Sequence, residues 1–216
     1  MDDELARLRE EYRRASLDEG EVGHDPMALS RAWVAEAVAA GLDEPNAMVL
    51  STVGSDGSPS SRAVLLKGLD DAGFRFFTNY DSVKGRELAA DPRCSLVLVW
   101  TFLARQIRVS GRAERLPASE SDAYFASRPR GARLGALVSE QSRPIADRGV
   151  LERRLAEVEA AYPETEEIPR PPHWGGYLVV PEVIEVWNGR PDRLHDRFHF
   201  TRATPGAPWS RRRLAP

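Results

Sequence analysis

The sequence predicts a mainly β protein, an antiparallel barrel with helices added to it, on three observations. Seven or eight short segments rich in apolar and β-branched residues lie between turn signals. Helical patterns are inserted among these strands, where a parallel sheet would need strand and helix to alternate. No Gly-x-Gly-x-x-Gly or Gly-x-x-x-x-Gly-Lys-Ser/Thr turn is present, so neither a Rossmann sheet nor a P-loop is supported.

The elements follow in order. Residues 1–25 are thick with charge, and Glu10 has Arg13 and Arg14 at helical spacing. A short helix and then a mobile stretch through Gly20 and Gly23 are expected there, with residues 26–216 as a single domain. Asp25-Pro26 reads as an N-cap and first helical proline. The helix it opens carries Leu29, Trp33, Val34, Ala37 and Val38 on one stripe and stops near Gly41. Strands are expected at Ala47–Val53 and Ser60–Lys67, joined by Gly54-Ser-Asp-Gly-Ser58. Phe74–Asn79 is a further strand, and Val83–Ala90 a short helix. Cys94–Trp100 and Arg105–Arg115 read as an antiparallel pair. Ser119-Glu-Ser-Asp122 resembles a capping box that opens a helix through Ala126. Another helix runs from about Gly149, the proline-rich segment Pro163–Gly176 is a loop, and strands are expected at Tyr177–Val180, Val183–Trp187 and Leu194–Phe200.

Composition narrows the function. With 30 basic and 33 acidic residues the formal charge is −3, which gives no footprint for nucleic acid. Arg211, Arg212 and Arg213 form the only basic run and read as a solvated or locally paired cluster. Cys94 is the only cysteine, sits in a strand pattern, and excludes both an internal disulfide and a cysteine zinc site. The four histidines lack metal-ligand spacing. The charged N-terminus does not resemble a secretion signal, and no apolar run reaches the ~20 residues of a membrane span. A cytoplasmic protein is expected.

Anion-binding residue types recur instead. In a regular strand Arg193, His195, Arg197 and His199 share one face, which fits either an anion site or a solvated edge. Arg62 and Lys67, five apart, point to opposite faces of a regular strand and so to two different anions, unless the strand is bulged. Thr78, Ser82 and Lys84 lie where a loop enters a helix, a place that favours phosphate. Ser127-Arg-Pro-Arg130 adds two guanidiniums at a helix end.

These residues fall into blocks that resemble the pyridoxine/pyridoxamine 5′-phosphate oxidase family along the whole chain. The blocks are Arg9-Glu-Glu-Tyr12, Glu44-Pro-Asn-Ala-Met48, Arg62-Ala-Val-Leu-Leu-Lys67, Phe77-Thr-Asn79, Arg105-Gln106, Tyr124-Phe-Ala-Ser-Arg-Pro-Arg130, Ser139-Glu-Gln-Ser142, Trp174-Gly-Gly176 and Arg193-Leu-His-Asp-Arg197. The resemblance implies an FMN-binding split β-barrel that forms a homodimer with the flavin at the interface. It assigns Arg62, Val64, Leu65, Lys67, Phe77, Thr78, Ser82, Lys84, Gln106, Gln141, Ser142, Trp187 and Arg197 to FMN. Lys67, Tyr124, Arg128 and Ala132 fall to the substrate phosphate, and Arg193 and His195 lie over the pyridine ring as the catalytic pair. The resemblance also implies that Arg9 and Tyr12 bind substrate, from an N-terminal segment that in the family can fold over the site.

The implied reaction oxidises pyridoxamine or pyridoxine 5′-phosphate to pyridoxal 5′-phosphate, by hydride transfer to flavin N5. O2 then takes the electrons and H2O2 is released. The chain departs from the family pattern at Phe77, Val83 and Ala132, where tyrosine, arginine and serine are often found. Related oxidases of phenazine precursors and deazaflavin-dependent reductases share the barrel class. Lys67, Tyr124 and Ser127-Arg-Pro-Arg130 argue for a phosphorylated substrate. A non-catalytic flavin- or pyridoxal-phosphate-binding module is the alternative from a different class.

Overall fold

The computed structural model describes residues 16–163 and 167–216. Among these residues nine strands form one antiparallel sheet: β1 (Ala47–Val53), β2 (Pro59–Leu65), β3 (Gly68–Asp70), β4 (Gly73–Asn79), β5 (Arg93–Trp100), β6 (Arg105–Arg115), β7 (Trp174–Asn188), β8 (Asp196–Thr201) and β9 (Ser210–Leu214). The main path runs β2-β1-β5-β6-β7-β4-β3, with β8 on β7 and β9 on β8. Only Leu66 and Lys67 separate β2 from β3, so the two ends of that path lie next to each other and the sheet curls into a barrel.

Alternation decides which face is inside. Leu98, Ile107, Val186 and Phe198 stand opposite one another in register, and Leu50, Leu96, Val109, Ile184 and Phe200 make a second row. Every one of these side chains is fully buried, so the sheet itself builds the core. Cys94 lies at its margin, and burial pushes its thiol up to about 12, as an inert core cysteine requires.

Among the described residues six α-helices decorate the barrel: α1 (Glu19–Val22), α2 (Pro26–Ala39), α3 (Val83–Ala90), α4 (Ala118–Ser127), α5 (Arg130–Val138) and α6 (Gly149–Ala161). Asp25 caps α2 by accepting from the Met27 N–H at 2.9 Å, and Met27, Trp33 and Ala37 cover the barrel. Around Phe125, Leu134, Ile168 and Trp174 the α4–α6 region has a small core of its own.

Several expectations are corrected. Residues 19–22 are helical rather than mobile, because Asp18 and Glu21 form a reciprocal capping box. The earlier part of the expected N-terminal helix lies outside the described residues. Helix α4 starts at Ala118 after Pro117 and uses no side-chain cap, so Ser119-Glu-Ser-Asp122 is not its capping box. The two strands expected around Pro181 are one 15-residue strand, β7. A register shift between Ser110 and Gly111 absorbs the proline, and a Cβ on Gly111 would stand 2.1 Å from the Val180 carbonyl oxygen. Trp174-Gly-Gly176, expected as loop, begins that strand. Strand β8 starts only at Asp196, so Arg193 and His195 do not share a strand face with Arg197 and His199. Asp192 and Arg193 take positive φ values of 57° and 63° in a tight turn instead. Helix α5 and strands β3 and β9 were not expected. On β9, Arg213 pairs with Glu19 and Asp196, and Arg211 donates to the Glu19 carbonyl, so the basic run is locally paired.

Candidate active site

A cavity of about 730 Å³ opens between the end of β2, β4, the start of α3 and the α4–α5 pair. That volume suits a cofactor or small substrate. Arg62, Val64, Leu65 and Lys67 line it from one side, Phe77, Thr78 and Lys84 from the floor, and Tyr124, Arg128, Ala132, Gln141 and Ser142 from the other. Arg62 and Lys67 were expected on opposite strand faces. Strand β2 ends at Leu65, however, and the chain turns there, with the Lys67 N–H donating to the Arg75 carbonyl at 2.8 Å. Both therefore reach one cavity.

One end of the cavity is built for charge. Ser82 is the N-cap of α3, its Oγ accepting from the Gly85 N–H at 3.3 Å and donating to the Asn79 carbonyl at 2.7 Å. Buried in that role, Ser82 supports the wall without lining it. Lys84 Nζ donates to Gln141 Oε1 at 2.8 Å and Thr78 Oγ1 at 3.2 Å, while the Val83 N–H donates to Ser142 Oγ at 3.3 Å. Burial, and next the Arg62 charge, lower the Lys84 ammonium to about 8, with Glu87 opposing. A helix N-terminus beside two cations attracts a phosphate.

The other end is aromatic. Phe77 lies flat on Tyr124, with ring centroids 3.9 Å apart at 20°, and on Trp174 at 5.6 Å and 13°. Phe77 pairs across the sheet with Gly176, where a Cβ would come within 2.7 Å of the Phe77 ring. Gly176 thus makes room for the stack, while Gly175 makes room for the Tyr80 ring. Arg128 places its guanidinium 4.7 Å from the Trp174 ring centre. Its Nη1 is buried without a hydrogen-bond partner, and burial lowers its pKa from the ordinary value. An unpaired donor on a buried guanidinium costs about 1–3 kcal/mol, a cost that an arriving anion removes.

Gln106, Trp187, Arg193, His195 and Arg197 do not line this cavity. Gln106 pairs with Trp187 and Trp187 with Arg197 across β6, β7 and β8, so the three side chains share the sheet face turned away from the core. The Trp187 and His195 rings lie 4.6 Å apart. His195 Nδ1 accepts from the Arg190 N–H at 3.0 Å. Burial and then Arg193 lower the His195 pKa, against the pull of Asp196. The imidazole is therefore neutral at pH 7 with its proton on Nε2. Arg197 is held by Glu185 Oε1 through Nε at 3.1 Å and Nη2 at 3.0 Å. Arg9 and Tyr12 lie outside the described residues.

Residues 34–162 match the family described as pyridoxamine 5′-phosphate oxidase, and residues 174–216 match the pyridoxine 5′-phosphate oxidase C-terminal dimerisation region. The chain belongs to this family. A pyridoxine/pyridoxamine 5′-phosphate oxidase of Salinibacter ruber is 54% identical over 212 residues, covering 98% of this chain and 99% of the relative. One from Burkholderia lata is 55% identical over 213 residues, with the same coverage. Among solved structures, PhzG from Burkholderia lata in complex with tetrahydrophenazine-1-carboxylic acid superposes with a TM-score of 0.87 at 33% identity, covering 96% of this chain and 100% of that one. A pyridoxamine 5′-phosphate oxidase-related, FMN binding protein from Nostoc punctiforme gives 0.70 at 18% identity over 90% of this chain and 100% of that one, a likeness of fold alone. The fold is the family's split barrel.

Within this family frame, sequence reasoning missed Trp174 as part of the cavity. Its signal was present in Trp174-Gly-Gly176, since two glycines beside a tryptophan mark a close approach. Thr52 and Glu87, which stand behind Arg62, had no local signal.

Proposed function

We propose that the chain is an FMN-dependent oxidase that converts pyridoxamine 5′-phosphate and pyridoxine 5′-phosphate to pyridoxal 5′-phosphate, with O2 as acceptor and H2O2 released. The observation that carries this reading is a single cavity lined by four cations, with Arg62 and Lys84 as one set at the charged end and Arg128 on the aromatic stack, to which the reading adds Lys67 as the other set. One set suits the cofactor phosphate and the other a phosphorylated substrate. A substrate without phosphate would leave the buried Nη1 of Arg128 unpaired.

In this reading Arg62, Thr78, Lys84, Gln141 and Ser142 hold the FMN phosphate and ribityl chain, with Val64, Leu65 and Phe77 along the ring system. FMN supplies the two-electron oxidant. Lys67, Tyr124 and Arg128 fasten the substrate phosphate, and so fix the distance between the substrate's oxidisable carbon and the cofactor. Gln106, Trp187, Arg193, His195 and Arg197 come from the partner subunit of a homodimer. The match of residues 174–216 to a dimerisation region supports this, as does the exposed apolar pair Val49 and Val99 on the outer sheet face. His195 presents its Nε2–H and Arg193 its guanidinium to the pyridine ring, orienting it and stabilising charge that develops there. Neither is needed as a base.

The likeness to PhzG raises a second reading, oxidation of a phenazine precursor, and Arg128 weighs against it. Peroxide release by the purified chain separates the readings. Turnover with pyridoxamine 5′-phosphate and none with tetrahydrophenazine-1-carboxylic acid is expected. The reverse preference, or a bound flavin of another kind on mass spectrometry, contradicts the proposal. Among the described residues no helix is long and apolar enough to cross a membrane.

A further inference from the structure

Behind the charged end of the cavity lies a buried carboxylate that none of the roles above uses. Glu87, three residues after Lys84 in α3, has a side chain only 13% exposed. Its Oε2 accepts from Arg62 Nη2 at 3.1 Å and from Thr52 Oγ1 at 2.5 Å. Arg62 is further tied to Thr52 Oγ1, Ser60 Oγ and the Ser60 carbonyl, the last at 3.0 Å. Three elements, β1, β2 and α3, thus meet on one guanidinium.

We propose that Glu87 is a positioning residue for the cofactor phosphate, acting through Arg62. The proposal rests on the reading that Arg62 and Lys84 receive that phosphate.

Two physical facts carry it. An arginine side chain has several freely rotating bonds, and ordering them on binding costs affinity. With one edge of its guanidinium fastened to Glu87, Thr52 and Ser60, Arg62 lines the cavity in one orientation before any ligand arrives. The second fact is charge. Arg62 and Lys84 face one cavity and repel, which is one of the two causes that depress Lys84. Glu87 acts in the opposite sense on Lys84 and pairs directly with Arg62, so it offsets their repulsion and holds Arg62 in place. A buried arginine stripped of this partner would turn elsewhere for one. Glu87 needs no contact with the ligand for any of this, and it does not line the cavity.

The test is the binding of FMN and of riboflavin, which lacks the phosphate, to the full-length chain stripped of flavin, read by flavin fluorescence. Glu87→Ala is expected to weaken FMN about 10-fold or more, the scale of one hydrogen bond to a charged group, and to leave riboflavin within about 2-fold. Glu87→Gln keeps an acceptor for both Arg62 and Thr52 but loses the charge, and is expected to weaken FMN by less than Glu87→Ala does. If Glu87→Ala does not fold, Thr52→Val takes one shared partner from Arg62 and Glu87 at similar volume and carries the same expectation of a split. Equal loss of both flavins, or no loss of FMN, overturns the role of Glu87. Two controls separate that failure from failure of the underlying reading. The parent must prefer FMN to riboflavin, and Arg62→Ala must reduce the preference. If either control fails, the phosphate assignment falls and the role of Glu87 falls with it. If both hold and Glu87→Ala behaves like the parent, only the role of Glu87 is lost.

Discussion

The cavity beside β2 and β4 and the outer face of β6–β8 use similar residues to different ends. In the cavity the cations outnumber their carboxylates: Lys84 is desolvated, and Arg128 keeps a buried nitrogen without a partner. On the outer face, Arg197 is already neutralised by Glu185, and His195 is held neutral beside Arg193. The first region is concave and prepared for anions. The second is a surface whose groups are fixed in place but enclose nothing. Such a surface completes a site only when another molecule is laid against it, and in the proposed reading that molecule is a second copy of the chain. The family match divides the chain in a compatible way, with the C-terminal dimerisation region spanning β7 to β9.

This contrast predicts a graded set of effects. Arg193→Leu should be the most damaging change to turnover, lowering kcat/KM on the order of 100-fold, the scale of one lost transition-state donor. Flavin occupancy, read from the absorbance spectrum, should stay near that of the parent. A variant that lost flavin but kept its efficiency per bound flavin would move Arg193 from the substrate to the cofactor.

Arg128→Ala should weaken pyridoxamine 5′-phosphate about 10- to 100-fold, since a guanidinium grips phosphate through charge-assisted hydrogen bonds. Unphosphorylated pyridoxamine should be bound no worse than by the parent. Equal damage to both substrates would make Arg128 a structural residue of the Trp174 stack.

Acidity gives the next effect. Lys84 is lowered to about 8, so in the ligand-free chain it loses its charge as pH rises through that value. A bound phosphate favours the charged lysine. Binding therefore takes up a proton above pH 8, and FMN affinity should fall by up to about 10-fold per pH unit there. Riboflavin affinity should be flat over the same range. A common slope for the two flavins would show that some other group titrates.

Ala132→Ser should be the smallest change. A hydroxyl on the cavity wall at this position can donate to the substrate phosphate, and water can already fill the same place. A gain of no more than about 10-fold for the phosphorylated substrate is expected from its KM, with none for the unphosphorylated one.

Much of the sheet was legible because its alternation is a local property. Strand β6 falls where the sequence places it, and β1 likewise, since inward residues recur every second position in both. Boundaries failed where non-local partners decide them. Pro181 reads as a break, and only the register shift opposite Gly111 lets β7 pass through it. Arg193 and His195 read as strand residues, although the positive φ of Asp192 and Arg193 turns the chain before β8. For the site, the resemblance named most cavity residues, whereas spacing alone left Arg62 and Lys67 pointing apart. The Thr52–Arg62–Glu87 cluster was beyond either route. Its members come from β1, β2 and α3, and no short pattern records their meeting.

The most direct test of two regions meeting across a dimer is complementation between Arg62→Ala and Arg193→Leu chains. Each variant alone should be nearly inactive, one with a damaged cavity and the other with a damaged outer face. In a mixed dimer one site would carry both lesions and the other neither. Random exchange makes half the dimers mixed, so about a quarter of all sites should be intact. The account predicts that peroxide release on pyridoxamine 5′-phosphate recovers to about a quarter of the parent rate. A mixture no more active than the average of its two components would contradict it.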